Sequence, residues 1–347
     1  METLLEKSVK FTAVILSSLL AFSAQADNSS FQHEISIATQ RSLLDTKEVF
    51  FVANYHYYSN PVTTHTSPFA LNTALSQSTN IGIDYSNLNA NNTDDYSLDG
   101  TYVFDSHVFI SAEYKRINGD SDEWIYSNDE RETSFGVQIG YYLSNSAEIS
   151  FFYREGSLSA NYRDNEVLLN GFDDSLVTSQ FDAETVTYGI YFQNYIPLQS
   201  FGGINLQFNW HNIQKNDNEL SKYGASEPDK TGFFDRTNEL NIEEKTNYFT
   251  VSADYYFNQS WSVGANYQWW QRDTTTTDYN HYENNRFEDD LDIRDYSGHF
   301  GVFGINTAYW WQISSNFSAE FSVSKLFNTD SYIIGGSLIG INAKARF

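Results

Sequence analysis

From Phe31 onward, apolar residues recur at every second position, the repeat of an extended strand with two unlike faces. Phe135, Val137, Ile139 and Tyr141 alternate with Ser134, Gly136, Gln138 and Gly140. Ile204, Leu206, Phe208 and Trp210 alternate with Asn205, Gln207, Asn209 and His211. Phe249, Val251, Ala253, Tyr255 and Phe257 form a third row, and Trp261, Val263, Ala265, Tyr267 and Trp269 a fourth. One face is apolar and aromatic; the other is polar and often small. The pattern predicts about 14 strands of roughly 10 to 14 residues, the length a tilted membrane strand needs. Their expected spans are 31–41, 47–58, 78–90, 94–104, 107–117, 131–143, 147–157, 183–196, 202–213, 244–257, 260–271, 296–312, 316–326 and 333–347. The stretch 157–182 leaves room for another hairpin, which would make 16; an even number is expected of a bacterial single-chain barrel.

The connections sort by parity. Those at Asp105-Ser106, Ser144 to Ser146, Asn258-Gln259 and Ser314-Ser315 are tight, and Pro197 to Phe201 is little longer. Between them fall long polar stretches near 118–130, 158–182, 214–243 and 272–295. In an up-and-down barrel alternate connections share a rim, so this sorting predicts short periplasmic turns and long external loops. The segment 61–77 is long where a short turn is expected, and Ser67 and Pro68 suit the start of a short helix over Phe69 to Leu75. Tyr57-Tyr58, Tyr141-Tyr142, Tyr255-Tyr256 and Trp310-Trp311 lie where strands meet turns, positions suited to an aromatic girdle at the headgroups. The predicted fold is all-β: a transmembrane antiparallel up-and-down β-barrel.

Composition agrees with this reading. Aromatic residues make up 17% of the 347, with 27 Phe and 25 Tyr against 4 Pro, which suits long paired strands because each proline removes a ladder donor. A mean hydropathy of −0.48 does not oppose it, since a strand between lipid and water is apolar only at alternate positions. No cysteine is present, so disulfide frameworks and thiolate metal sites are excluded. A net charge of −25 argues against nucleic acid as a partner. At the start, Lys7 and Lys10 precede an apolar run from Phe11 to Phe22 and then Ala24-Gln25-Ala26, the layout of a cleavable signal peptide. The run is too short to span a bilayer, which takes roughly 20 apolar residues. The expected division is a signal peptide over 1–26 and one barrel domain over 27–347.

The last strand carries Ile339, Ile341, Ala343, Ala345 and Phe347 on one face and Asn342, Lys344 and Arg346 on the other. A terminal phenylalanine after alternating apolar residues resembles the C-terminal signal that the barrel-assembly machinery reads. Phe31-Gln32-His33-Glu34, the run Tyr55-His56-Tyr57-Tyr58-Ser59-Asn60-Pro61-Val62 and Ser67-Pro68-Phe69-Ala70-Leu71 together resemble a porin family of Gram-negative, marine gammaproteobacterial outer membranes. The resemblance is detailed over the first part of the expected mature chain and architectural beyond it. It implies a pore-like barrel in the cell outer membrane, without catalytic residues and without a particular substrate.

With the aromatic rows toward lipid, the expected pore-lining charges are Glu34, Asp84, Asp99, Glu113, Lys115, Glu148, Arg154, Asp254, Arg272, Glu320, Lys344 and Arg346. Acids exceed bases among them, and acidic rings favour cations. About 8 strands are filled by side chains and 16 to 18 leave a channel, so 14 predicts a narrow pore. External acids cluster at Asp120, Asp122, Glu123, Asp129 and Glu130, and again at Glu288, Asp289, Asp290 and Asp292. Such runs are solvated rims or bridge through divalent cations to lipopolysaccharide; none has EF-hand spacing, so no calcium site is assigned. The histidines (33, 56, 65, 107, 211, 281 and 299) are scattered, and Asp278 with His281 makes no catalytic set. No phosphate-binding glycine loop occurs. The expectation is therefore a passive channel for small hydrophilic solutes with weak cation preference, no enzyme, no cofactor and no metal site. The alternative is a closed structural or receptor barrel acting through its acidic loops. Outer-membrane lipid and lipopolysaccharide are the expected surroundings, with a monomer favoured over a trimer.

Overall fold

The computed structural model describes residues 30–42, 49–64, 67–88, 93–121, 128–166, 175–198, 202–225, 236–282, 289–328 and 336–347. The expected signal peptide, Asp122, Glu123 and Glu288 lie outside the described residues, as do the side chains of Asp120, Asp129 and Glu130. Fourteen strands follow in order: β1 Ser30–Ser42, β2 Val49–Thr63, β3 Asn80–Leu88, β4 Thr93–Val103, β5 Val108–Ser121, β6 Asn128–Ser144 and β7 Ala147–Glu166. They continue with β8 Ser175–Pro197, β9 Gly203–Ala225, β10 Arg236–Tyr256, β11 Trp261–Tyr282, β12 Asp290–Gln312, β13 Phe317–Asn328 and β14 Ser337–Arg346. A single helical turn, α1 Asn72–Leu75, lies between β2 and β3. Each strand pairs antiparallel with its neighbours in sequence, and β1 pairs with β14, from Glu34↔Arg346 to Ser42↔Leu338, so the sheet closes into a barrel. Strand number and topology are those that the alternation predicts.

The strands run longer than the pattern indicates on one side. β7 to β12 have 20 to 23 residues each, and much of the polar sequence expected as loops at 158–182, 214–243 and 272–295 continues the ladder. The 157–182 stretch thus extends β7 and β8 and adds no further hairpin within the described residues. Alternation fades there because both faces meet water, and a strand needs unlike faces only where it divides unlike media. Lateral polar bonds take over: Ser179 Oγ to Ser221 Oγ at 2.6 Å, Asn241 Nδ2 to Asn218 Oδ1 at 2.7 Å and Asn238 Nδ2 to Asp278 Oδ1 at 2.6 Å.

The tight-turn end is built differently from the expectation. Side chains alternate along a strand, so each aromatic pair splits. Tyr57 is 38% exposed on the outer face, whereas Tyr58 is 5% exposed and points inward; Trp311 and Trp310 divide in the same way at 52% and 5%. Only one member of each pair can serve an outer girdle. The inward members Tyr58, Tyr142, Tyr256 and Trp310 are buried just inside the rim, as is Tyr195, which meets Tyr256 edge-on. At a register shift between Phe31 and His33, Phe31 packs edge-on to Tyr58 with ring centres 5.9 Å apart, in a cluster with Val62.

The β2–β3 connection packs on Tyr195 and Tyr256 at this end. Pro68, Phe69, Leu71 and Asn72 are buried, and Ser67 Oγ donates to Asn72 Oδ1 at 2.6 Å; the helix is capped at Leu71 with no side-chain bond, so Ser67 does not cap it, and it is one turn long and begins later than predicted. Phe69 N–H donates to the Gln259 carbonyl at 3.0 Å in the β10–β11 turn, and Leu71 packs on Tyr195 and Tyr256. In a closed ring of 14 strands β2 and β3 stand opposite β9 and β10. Gln77 Nε2 reaches the Ser144 carbonyl at 2.6 Å and Arg346 reaches the Phe69 carbonyl at 3.4 Å. The segment therefore crosses the tight-turn mouth and is held on several sides.

The seam between first and last strands is closed by charge as well as by ladder bonds. Glu34 accepts from Arg346 Nε at 2.7 Å and from Lys344 Nζ at 3.4 Å, with Glu34 and Arg346 both buried. Removing one member of a buried pair leaves the other uncompensated and costs about 3–5 kcal/mol. Glu34→Ala is expected to lower the urea midpoint of the refolded barrel, followed by tryptophan fluorescence; an unchanged midpoint would show that the seam does not depend on this group.

Candidate functional site

The outer wall exposes Ile81, Ile83, Leu98, Phe135, Ile139, Phe151, Val263, Ile305 and Ile341 among many other large apolar side chains. The inner wall carries the opposite parity. A cavity of about 760 Å³ opens within the barrel against strands β2 to β9, bordered by His56, Asp84, Asp99, Glu113, Glu148 and Arg154, with Tyr191 and His211 behind them.

Glycines on intervening strands bring these side chains together. Gly136 on β6 is the register partner of both Glu113 on β5 and Arg154 on β7, and the two close over it as an ion pair. Gly82 on β3 stands likewise between His56 and Asp99, whose Nε2 and Oδ1 are 3.5 Å apart. Gly264 separates Asp254 from Asn306, which donates to it at 3.3 Å, and Gly189 separates Phe152 from His211. Without a Cβ, the middle strand leaves space for side chains two strands apart to meet above it. An aromatic strip continues the wall from His211: Tyr248 stacks on it at 4.8 Å, Trp270 follows at 6.1 Å and Phe300 at 5.7 Å, all direct cross-strand neighbours.

Of the twelve charges expected along a pore, Asp84, Asp99, Glu113, Glu148 and Arg154 share the cavity, while Glu34, Lys344 and Arg346 form the seam group instead. Lys115 is taken up by Asp95 at 2.6 Å and Arg272 by Glu244 at 3.2 Å. Glu320 accepts from Asn342 at 3.3 Å. His56, Tyr191, His211, Asp95 and Glu244 complete these sets and stand outside the twelve. His56 and His211 have the inward parity of their strands, so alternation points to them; a search for metal ligands at helical spacing passes over them. The acidic rim is partly engaged: Asp289 Oδ2 lies 3.0 Å from both His281 Nδ1 and the Tyr279 hydroxyl. These bonds, led by that to His281, hold the exposed Asp289 carboxyl below its ordinary range.

No family model and no curated protein matches the chain. Among solved structures it is similar to the outer membrane protein Omp33 of Acinetobacter baumannii, at 16% identity over 92% of this chain and all of that one, with a TM-score of 0.45. The CymD monoaromatic hydrocarbon channel matches at 12% identity over 93% of this chain and 89% of its own, with a TM-score of 0.46. The translocator domain of the autotransporter NalP from Neisseria meningitidis matches at 8% over 99% and 98%, with a TM-score of 0.44. No functional residue is carried across from them.

The glycine spacing makes a direct prediction. A Cβ at Gly189 would collide with the backbone carbonyl of Trp210 and stand 2.6 Å from His211 Cβ, and a backbone atom cannot swing aside. Gly189→Ala is expected to cost about 1–3 kcal/mol of overpacking, read as a lower thermal midpoint of the folded barrel by circular dichroism.

Proposed function

We propose that this chain is an outer-membrane channel for small hydrophilic solutes with a weak preference for cations, restricted at its periplasmic mouth by the segment between β2 and β3. The observation that carries the reading is the contrast of the two walls. The outer one is a broad apolar surface on a ladder with no free edge, which hydrocarbon solvates and water does not. The inner one holds a charged cavity in which four carboxyl groups outnumber the single guanidinium. Export through residues 1–26 and recognition of Phe347 by the assembly machinery belong to the same reading. It requires no catalytic step.

The segment crossing the mouth favours a second reading, a closed barrel that works through its external hairpins. Leu71 between Tyr195 and Tyr256 is the anchor on the far wall. Single-channel recording of the refolded mature chain in a planar bilayer under a salt gradient separates the two. The channel reading expects discrete openings and a zero-current potential of the sign given by cations moving down the gradient. Silence from protein verified as folded favours the closed barrel.

Phe69→Ala combined with Leu71→Ala removes buried contacts worth about 2–5 kcal/mol at Leu71 alone. Larger or longer-lived openings are expected from this variant in the same recordings. Openings identical to those of the unaltered chain would mean that the segment does not limit passage.

A further inference from the structure

His56 on β2, Asp84 on β3 and Asp99 on β4 face the cavity from three adjacent strands, and one donor atom from each lies within 4.8 Å of the other two. The 3.5 Å between His56 Nε2 and Asp99 Oδ1 exceeds a good N–H···O bond, which spans about 2.7–3.2 Å. That one separation is close to the edge of a coordination tetrahedron, about 3.4 Å for two ligand atoms each about 2.1 Å from one ion, and Asp84 lies within 4.8 Å of both. A plain ion pair over Gly82, like that of Arg154 and Glu113 over Gly136, would use one carboxylate. Here Asp84 brings a second to the same place, and two carboxylates sharing a site repel, which a shared proton or a cation held between them relieves.

Apart from His56 itself, which can pair with Asp99 when protonated, the described surroundings supply no cation to these carboxylates. Arg154, the one arginine bordering the cavity, is engaged by Glu113, and among the described residues no lysine or arginine pairs with Asp84 or Asp99. Supporting groups are present: Ser97 Oγ donates to Asp84 Oδ2 at 3.0 Å, and the His56 ring stacks on Tyr58 with centres 6.3 Å apart. Gly82 leaves the space, for a Cβ there would collide with His56 Nε2 and lie 2.6 Å from Asp99 Oδ1.

We propose that His56, Asp84 and Asp99 bind one divalent transition cation of the zinc class on the inner wall, with a remaining coordination position open to the lumen. One imidazole with two carboxylates suits zinc, iron or nickel. Calcium, which takes 6 to 8 oxygen ligands, is poorly served by this set. The site stands independently of conduction, because equilibrium binding is measured whether or not the barrel opens.

The test is isothermal titration of the tag-free, metal-stripped mature chain in detergent with Zn²⁺, and with Co²⁺ followed by visible absorption. Folding of every variant is checked by heat-dependent gel mobility. One equivalent of Zn²⁺ is expected, with the intense Co²⁺ absorption of a four-coordinate site. His56→Gln and Asp99→Asn should each lose that equivalent, while His211→Gln, in the same cavity, should keep it. Gly82→Ala removes no ligand yet should lose it too, and Ser97→Ala should weaken binding about 10-fold as an outer-shell change. Absence of saturable binding in the unaltered chain, or binding that persists in both His56→Gln and Asp99→Asn, overturns the proposal.

Discussion

Every backbone N–H and C=O of a sheet set in hydrocarbon must find a partner within the sheet, since each group left bare there costs several kcal/mol. In this barrel the edge groups are paired by the contact of β1 with β14, which turns an open sheet with two edges into a closed wall. The ladder bonds continue to the last residue, whose N–H donates to the His33 carbonyl at 3.0 Å and whose carbonyl accepts from His33 N–H at 2.8 Å. His33 and Phe347 also stack at 5.2 Å, so the seam carries hydrogen bonds, a ring contact and the Glu34 ion pairs together.

Closure makes an inside, and the inside is organised by strand triplets. A side chain on one strand meets another two strands away only if the residue between them is small. Gly82, Gly136, Gly189 and Gly264 each occupy such a place, and each sits under a pair with stated chemistry: imidazole and carboxylate, carboxylate and guanidinium, ring and ring, carboxylate and amide. The inner face is therefore small and polar for a definite reason, namely that the functional groups reach over their neighbours. Toward the tight-turn rim the same face becomes aromatic, and there it serves as the bed for the crossing segment.

The outer hairpins obey different physics. Above the apolar belt both faces are wet, the ladder is held by Asn, Ser, Thr and Asp bonded across strands, and charges are matched locally, as Lys215 is with Asp217 at 2.7 Å. The strands extend because their partners do, in register over more than twenty residues between β9 and β10. Local polarity there measures the solvent, not the end of the strand.

Much of the architecture was legible in the chain. Period-two alternation is a property of neighbours in sequence, so it determined the strand class, the number of strands, the apolar outer and polar inner faces and the sorting of short turns from long connections. It also indicated that residues 61–77 were exceptional. What it could not contain is anything fixed by register across strands. That Tyr195 and Tyr256 receive Leu71 of a segment from the opposite wall, and that His56 comes to Asp99 over Gly82, depends on how distant strands align. Glu34 and Arg346 are 312 residues apart and meet only because the barrel closes. Alternation acts through the nearest residues, whereas these contacts depend on the summed length and stagger of everything between them, which only the tertiary structure decides.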